Sequence, residues 1–120
     1  MAKQNDKAKV SEAVAPDNPQ TAHEFIESGW THYSKKEYFR AETDFQKALD
    51  FDPRDVDTQY ALAMTLMASA RPQEATGAFE KVLSLLKDVQ EKDMVRAHML
   101  GRLAQGHINR IQTGDWGIFS

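Results

Sequence analysis

The chain has no cysteine among its 120 residues. Disulfides, thiolate metal sites and a cysteine nucleophile are therefore excluded, and a reducing compartment is consistent with that. An excess of one charge is also missing. Lys+Arg number 15 against Asp+Glu 18, a net charge of -3 with a pI near 5.8. No Lys/Arg run is long enough to track a phosphate backbone, so nucleic acid is not an expected partner. No window approaches the roughly 18 apolar residues of a membrane span. The polar start has no apolar stretch of signal-peptide length, and the expected location is the cytoplasm. The six glycines are scattered, and none of G-x-x-x-x-G-K-[ST], G-x-G-x-x-G and G-x-S-x-G occurs. Strand-like alternation is sustained nowhere.

What is present is helical periodicity. Residues 1–20 are polar, carry Pro16 and Pro19, and bury too little apolar surface to offset ordering, so they read as a disordered lead. Residues 21–120 read as one helical domain. Ala22, Phe25, Ile26, Gly29, Trp30 and Tyr33 fall at offsets 0, 3, 4, 7, 8 and 11, a wide apolar stripe on one helix. Ser34-Lys35-Lys36-Glu37 has the S-x-x-E form of a capping box, which predicts that a second helix starts there. It carries Tyr38, Ala41, Phe45, Ala48 and Leu49 and is stopped by Asp52-Pro53. A third helix, about 55–69, is apolar nearly all round and is expected to be buried on several sides. Arg71-Pro72 opens a fourth, with Ala75, Ala78, Phe79, Val82, Leu83 and Leu86. A fifth, about 93–112, carries Met94, Ala97, Leu100, Leu103, Ala104, Ile108 and Ile111, with Gly114 as its end cap.

The chain also aligns with itself at a shift of 34 residues. Ala41, Phe45, Lys47 and Leu49 coincide with Ala75, Phe79, Lys81 and Leu83, and small Gly29 pairs with Ala63. A 34-residue period built from two helices, with a small residue in the first helix, A-x3-F in the second and proline at the turn, resembles the tetratricopeptide repeat. The first unit supplies Gly29, Tyr38, Ala41, Phe45, Ala48 and Pro53; the second supplies Leu62, Ala63, Ala75, Phe79 and Val82. The resemblance spans about residues 22–116. The second unit departs from the pattern at Gln59, where a large apolar residue is usual, and at Lys87, where proline is usual. The third is incomplete: Gly114-Asp115-Trp116 resembles a turn into a further helix. The fold expected is an all-α solenoid of about five helices in antiparallel hairpins, the last a capping helix with Arg96, Arg102, Gln105 and Arg110 toward water.

The resemblance implies a concave face lined by the first helix of each pair. It places His23 and the trio Ile26, Trp30 and Tyr33 there from the first unit, and Asp57 and the trio Tyr60, Met64 and Met67 from the second, with the two trios as the partner-binding residues. Each trio is spaced i, i+4, i+7 and so shares one face. Where some tetratricopeptide proteins clamp a terminal carboxylate with Lys and Asn, this chain has Ile26, Trp30, Tyr60 and Met64, and a carboxylate clamp is not expected. An apolar, methionine-bearing groove suits an amphipathic helix or a hydrophobic segment. The same stripe also has the spacing of core. The fifth helix, the tail with Trp116, Ile118 and Phe119, or a second copy of the chain are alternative fillers.

Catalysis and metal binding lack a constellation. His23-Glu24-Phe25-Ile26-Glu27 has no second histidine for the zinc helix pattern, and His23 and Glu27 read as a surface pair. His23 and His32 lie nine residues apart, as do His98 and His107, on opposite helix faces in each case. His107 reads as a structural histidine. Asp50, Asp52 and Asp55 read as solvated or capping residues. The function expected is therefore a non-enzymatic adaptor that binds a protein or peptide partner in its apolar groove, without cofactor. Homo-oligomerisation through that surface, or a small chaperone shielding a hydrophobic client segment, is the alternative.

Overall fold

The computed structural model describes residues 18–88 and 94–114. Among these residues are five α-helices and no strand: α1 Ala22–Ser34, α2 Tyr38–Phe51, α3 Val56–Ala68, α4 Pro72–Leu86 and α5 Met94–Thr113. The chain is all-α, as the periodicity predicts. None of these helices is long and apolar enough to cross a membrane. Most of the lead at 1–20, and the apolar tail with Trp116, Ile118 and Phe119, lie outside the described residues. The chain divides between Pro53 and Arg54 into two compact units.

The first unit is a hairpin of α1 on α2. Thr21 caps α1 by accepting the Glu24 N–H at 3.1 Å, and Glu24 Oε1 accepts the Gln20 N–H at 2.8 Å. The first bond satisfies one of the donors that a helix start leaves unpaired, and the second ties the residue before the cap to the first turn. Ala41, Phe45 and Ala48 form the buried stripe of α2. Phe45 is fully buried, and the backbone of Gly29 lies against its ring. A Cβ on Gly29 would sit 2.6 Å from Phe45 Cε1, so the hairpin closes only because that side chain is missing. A polar seam runs beside this contact. Ser28 Oγ donates to Asp44 at 2.6 Å, and His32 Nδ1 meets Glu37 Oε1 at 2.7 Å. The His32 bond, as the largest influence, holds the Glu37 carboxyl below its ordinary range.

The expected capping box is not formed. Ser34 ends α1 and gives its hydroxyl proton to the Thr31 carbonyl, while α2 begins at Tyr38 with Glu37 turned toward His32. The physical reason is Lys36, which adopts a left-handed φ of 65°. With it, Lys36 N–H bonds Tyr33 O and Glu37 N–H bonds His32 O, satisfying the carbonyls that the end of α1 leaves open. Ala70 repeats this geometry after α3, with φ 61°, Ala70 N–H to Met67 O and Arg71 N–H to Leu66 O. Lys36 and Ala70 are 34 residues apart (70 minus 36). The sequence period therefore recurs in the backbone of the two turns.

The second unit packs α3 on α4 and α4 on α5. Helix α3 buries Thr58, Gln59, Ala61, Leu62, Ala63, Thr65 and Leu66, which leaves little of its circumference in solvent. Its start is fastened by Thr58 Oγ1 donating to Asp55 Oδ2 at 2.6 Å. Gln59, the departure from the repeat pattern, is buried with its amide donating to the Ala78 carbonyl at 3.3 Å. Burial without that bond would carry the desolvation cost of the amide. Pro72 opens α4, where its missing N–H costs nothing. Ala75, Ala78, Phe79, Val82 and Leu85 are its buried face.

Helix α5 differs from expectation on its apolar side chains. Ala104 and Ile108 are buried, but Met94 and Leu103, expected in the core, are exposed, as are Val95 at 78 % and Met99 at 60 %. At about 100° per residue, Leu103 points roughly a quarter turn or more from the Ala97–Ala104–Ile108 line that meets the unit. A helix packed on one side cannot bury that many apolar positions. The expected solvent-facing Arg96, Arg102 and Gln105 are exposed, Arg110 is half-buried, and Gly114 closes the helix with φ 75°.

Candidate functional site

The six residues expected in a groove fall three in each unit. On α1, Ile26 and Tyr33 are half-buried and Trp30 is 41 % exposed. Four rings form a continuous chain there. Trp30 stands edge-on to Phe45 at 5.1 Å and to Tyr33 at 5.2 Å, and Tyr33 stands edge-on to Tyr38 at 5.4 Å. Edge-on contacts set the positive rim of one ring against the negative face of the next, each adding about 0.5–1.5 kcal/mol beyond burial. Trp30 is thereby held by the core through Phe45 while a large part of its indole faces water. Tyr33 is held above its ordinary pKa, first by burial and then by the neighbouring Tyr38.

On α3, Tyr60, Met64 and Met67 are half-buried. Tyr60 is not free at its polar end. Its hydroxyl lies 3.2 Å from His107 Nε2, and its ring meets Phe79 edge-on at 5.7 Å. His107 in turn stacks on Phe79 at 4.9 Å and 19°. One aromatic cluster thus ties α3, α4 and α5 together, and it gives His107 the structural role that the sequence assigns to it.

His107 has an unpartnered nitrogen. Its Nδ1 is buried and hydrogen-bonds to nothing among the described residues. Burial, followed by the positive charge of Arg110, pushes the imidazole below its ordinary value of 6.5. Folding therefore favours the neutral ring, and the unfolded chain binds the proton more readily. The stability tied to that ring is complete above pH 6.5, declines below it, and is lost once the pH has fallen through the lower folded value. The variant His107→Phe keeps the stack on Phe79 and removes the titration. Because the variant also loses the Tyr60 hydrogen bond, thermal melts at mildly basic pH are expected to differ from wild type by a fixed offset. Toward mildly acidic pH the gap is expected to shift in favour of the variant. Parallel curves would remove His107 from the account.

His23 and Glu27 form an exposed pair at 3.0 Å, as their spacing predicts. Among the described residues no three His, Cys, Asp or Glu side chains are placed to hold a metal ion. The spacing gives no hint that Phe39 on α2 is 78 % exposed. The outward line of Val95, Met99 and Leu103 is readable as an i, i+4, i+8 pattern only once the buried line of α5 is known. No family model matches this chain, and comparison with curated proteins and with solved structures finds no match.

Proposed function

We propose that the chain is a protein-binding module of tetratricopeptide-like helical hairpins, and that the aromatic face of α1 around Trp30 holds an apolar segment of a partner. The observation that carries this reading is the state of Trp30: fixed edge-on by Phe45 and Tyr33, yet 41 % exposed. A rigid, half-exposed indole loses little conformational freedom on binding and contributes large apolar area, which is why tryptophan is common among binding anchors. Ile26 and Tyr33 flank it on the same face. The recurrence of the left-handed residues Lys36 and Ala70 at the 34-residue period supports the hairpin-repeat part of the reading. On α3, Met64 and Met67 are the adaptable part of the corresponding stripe.

Selection of helical peptides from a display library on the wild-type chain, followed by titration of Trp30→Ala with the selected peptides, tests this. The expected result is a loss of about tenfold or more in affinity. The folded state should survive, because the side chain is only partly buried and its removal costs less than the about 3–5 kcal/mol of a fully buried Trp or Phe. Equal affinity for wild type and Trp30→Ala would remove the proposal. A variant that fails to fold would assign Trp30 to the core instead.

A second reading is self-association. It is favoured by the exposed rings of Phe39 at 78 % and Phe51 at 57 %, apolar area beyond the Trp30 face. Light scattering after size exclusion over a range of concentrations separates the two readings. A monomer throughout supports the partner reading, and a stable dimer moves these rings to a subunit interface.

A further inference from the structure

Beside the end of α4 and the first half of α5 runs an open trough of about 480 Å³. Its floor is Leu83 and Leu86 from α4 with Ala97 and Gly101 from α5, and its rim carries Lys87, His98 and Arg102. Among the described residues no carboxylate lines it. The bias extends along the helix: α5 carries Arg96, Arg102 and Arg110 and not one Asp or Glu, in a chain whose net charge is -3. Two acidic residues of the same unit are already engaged elsewhere, Asp88 by Arg54 at 2.5 Å and Asp57 by Arg96. The trough thus pairs an apolar floor with a basic rim.

Its openness decides what kind of ligand fits. Lys87, Met94, His98, Arg102 and Gln105 are all exposed, so a small molecule would remain largely in water rather than buried as small ligands require. A helix from another protein needs no such enclosure. It satisfies its own backbone and offers an apolar stripe with flanking charges. Gly101 sets the depth of the floor. A Cβ there would meet Leu86 Cδ1 at 3.6 Å and Leu83 Cδ2 at 4.0 Å, ordinary contact distances, so among the described residues the floor has room there for an added side chain.

We propose that this trough docks an acidic amphipathic helix of a protein partner, with its apolar side chains on Leu83, Leu86 and Gly101 and its carboxylates against Lys87 and Arg102. This is a second site, in the second unit, and it stands independently of the Trp30 face. Opposite charge across the rim speeds encounter and selects among apolar helices that the floor alone would accept equally.

The test uses the full chain and three labelled synthetic helix-forming peptides. All carry Leu and Phe on one face; the flanks are Glu in the first, Gln in the second and Lys in the third. Fluorescence anisotropy is expected to rank Glu above Gln by about tenfold or more and Gln above Lys, with the Glu advantage shrinking at high salt. Arg102→Glu should reverse the preference. Gly101→Leu should fill the trough at those contact distances and abolish the preference for the Glu peptide, while Gly77→Ala, whose added Cβ meets nothing within 4 Å, leaves it unchanged. Circular dichroism verifies that each variant is folded, and Lys87→Glu replaces any that is not. Equal binding of the three peptides, or the Glu preference kept in Gly101→Leu, overturns the proposal. Three other occupants would also overturn it: anionic phospholipid vesicles bound in preference to the Glu peptide, a dimer abolished by Gly101→Leu, or Glu-peptide binding that appears only after residues 115–120 are deleted.

Discussion

Replacing Phe79 by alanine is expected to remove about 3–5 kcal/mol of stability, the usual loss for truncating a fully buried phenylalanine. Phe79 is 0 % exposed, so nothing softens the cavity it would leave. It is also the ring on which others depend. Tyr60 of α3 meets it edge-on and His107 of α5 stacks on it. Whole domains of this size are stabilised by about 5–15 kcal/mol, so the variant should sit close to its unfolding midpoint. Urea denaturation followed by circular dichroism measures the loss. Hydrogen exchange adds where it falls. Amides of α5 should lose protection first, because the stack that fastens His107 is gone. Protection lost evenly along the chain would mean that Phe79 supports the fold only generally and does not fasten α5.

The second large effect is expected at Gly29, where the sign runs against helix propensity. Alanine is favoured over glycine in a helix interior by about 1 kcal/mol. At Gly29 the added Cβ meets Phe45 at 2.6, 2.8 and 2.9 Å, closer than real side chains approach. Phe45 cannot retreat, since it is fully buried and Trp30 stands against it. Overpacking of this kind costs about 1–3 kcal/mol. Gly29→Ala is therefore expected to destabilise, and to shift the fluorescence of Trp30 in a Trp116→Phe background. Gly77→Ala is the control. That glycine is also helical, but its Cβ would meet nothing within 4 Å. The same substitution there should stabilise by about 0.5–1 kcal/mol. Two midpoints moving in the same direction would show that propensity, not packing, decides at Gly29.

The helices were legible because their ends are written in residues with one physical meaning. Pro53 and Pro72 lie where chain geometry admits them, and the observed helices stop at Phe51 and start at Pro72. The small residue at 29 and the phenylalanine at 45 were legible as a pair through the repeat. The turn after α1 was not. A serine and a glutamate three apart look like a cap, whereas the backbone is closed by a lysine in a conformation usually left to glycine. Nothing in a lysine or an alanine advertises that state. The exposure of Met94 and Leu103 was equally hidden, because periodicity tells which residues share a face but not how many faces find a neighbour. The six residues expected in a groove lie three on α1 and three on α3. That Tyr60 is tied by its hydroxyl to His107 depends on a contact 47 residues away in sequence.

The order of packing has a consequence for how quickly the chain becomes itself. Helix α1 meets α2, α3 meets α4 and α4 meets α5, so each strong association joins neighbours along the chain. Such contacts close short loops and forfeit little entropy before they are rewarded. Chains built this way fold in microseconds to milliseconds and leave few exposed intermediates for aggregation to capture. With no cysteine to oxidise, the slow steps within the helical part of the chain are the isomerisations of the Asp52–Pro53 and Arg71–Pro72 bonds.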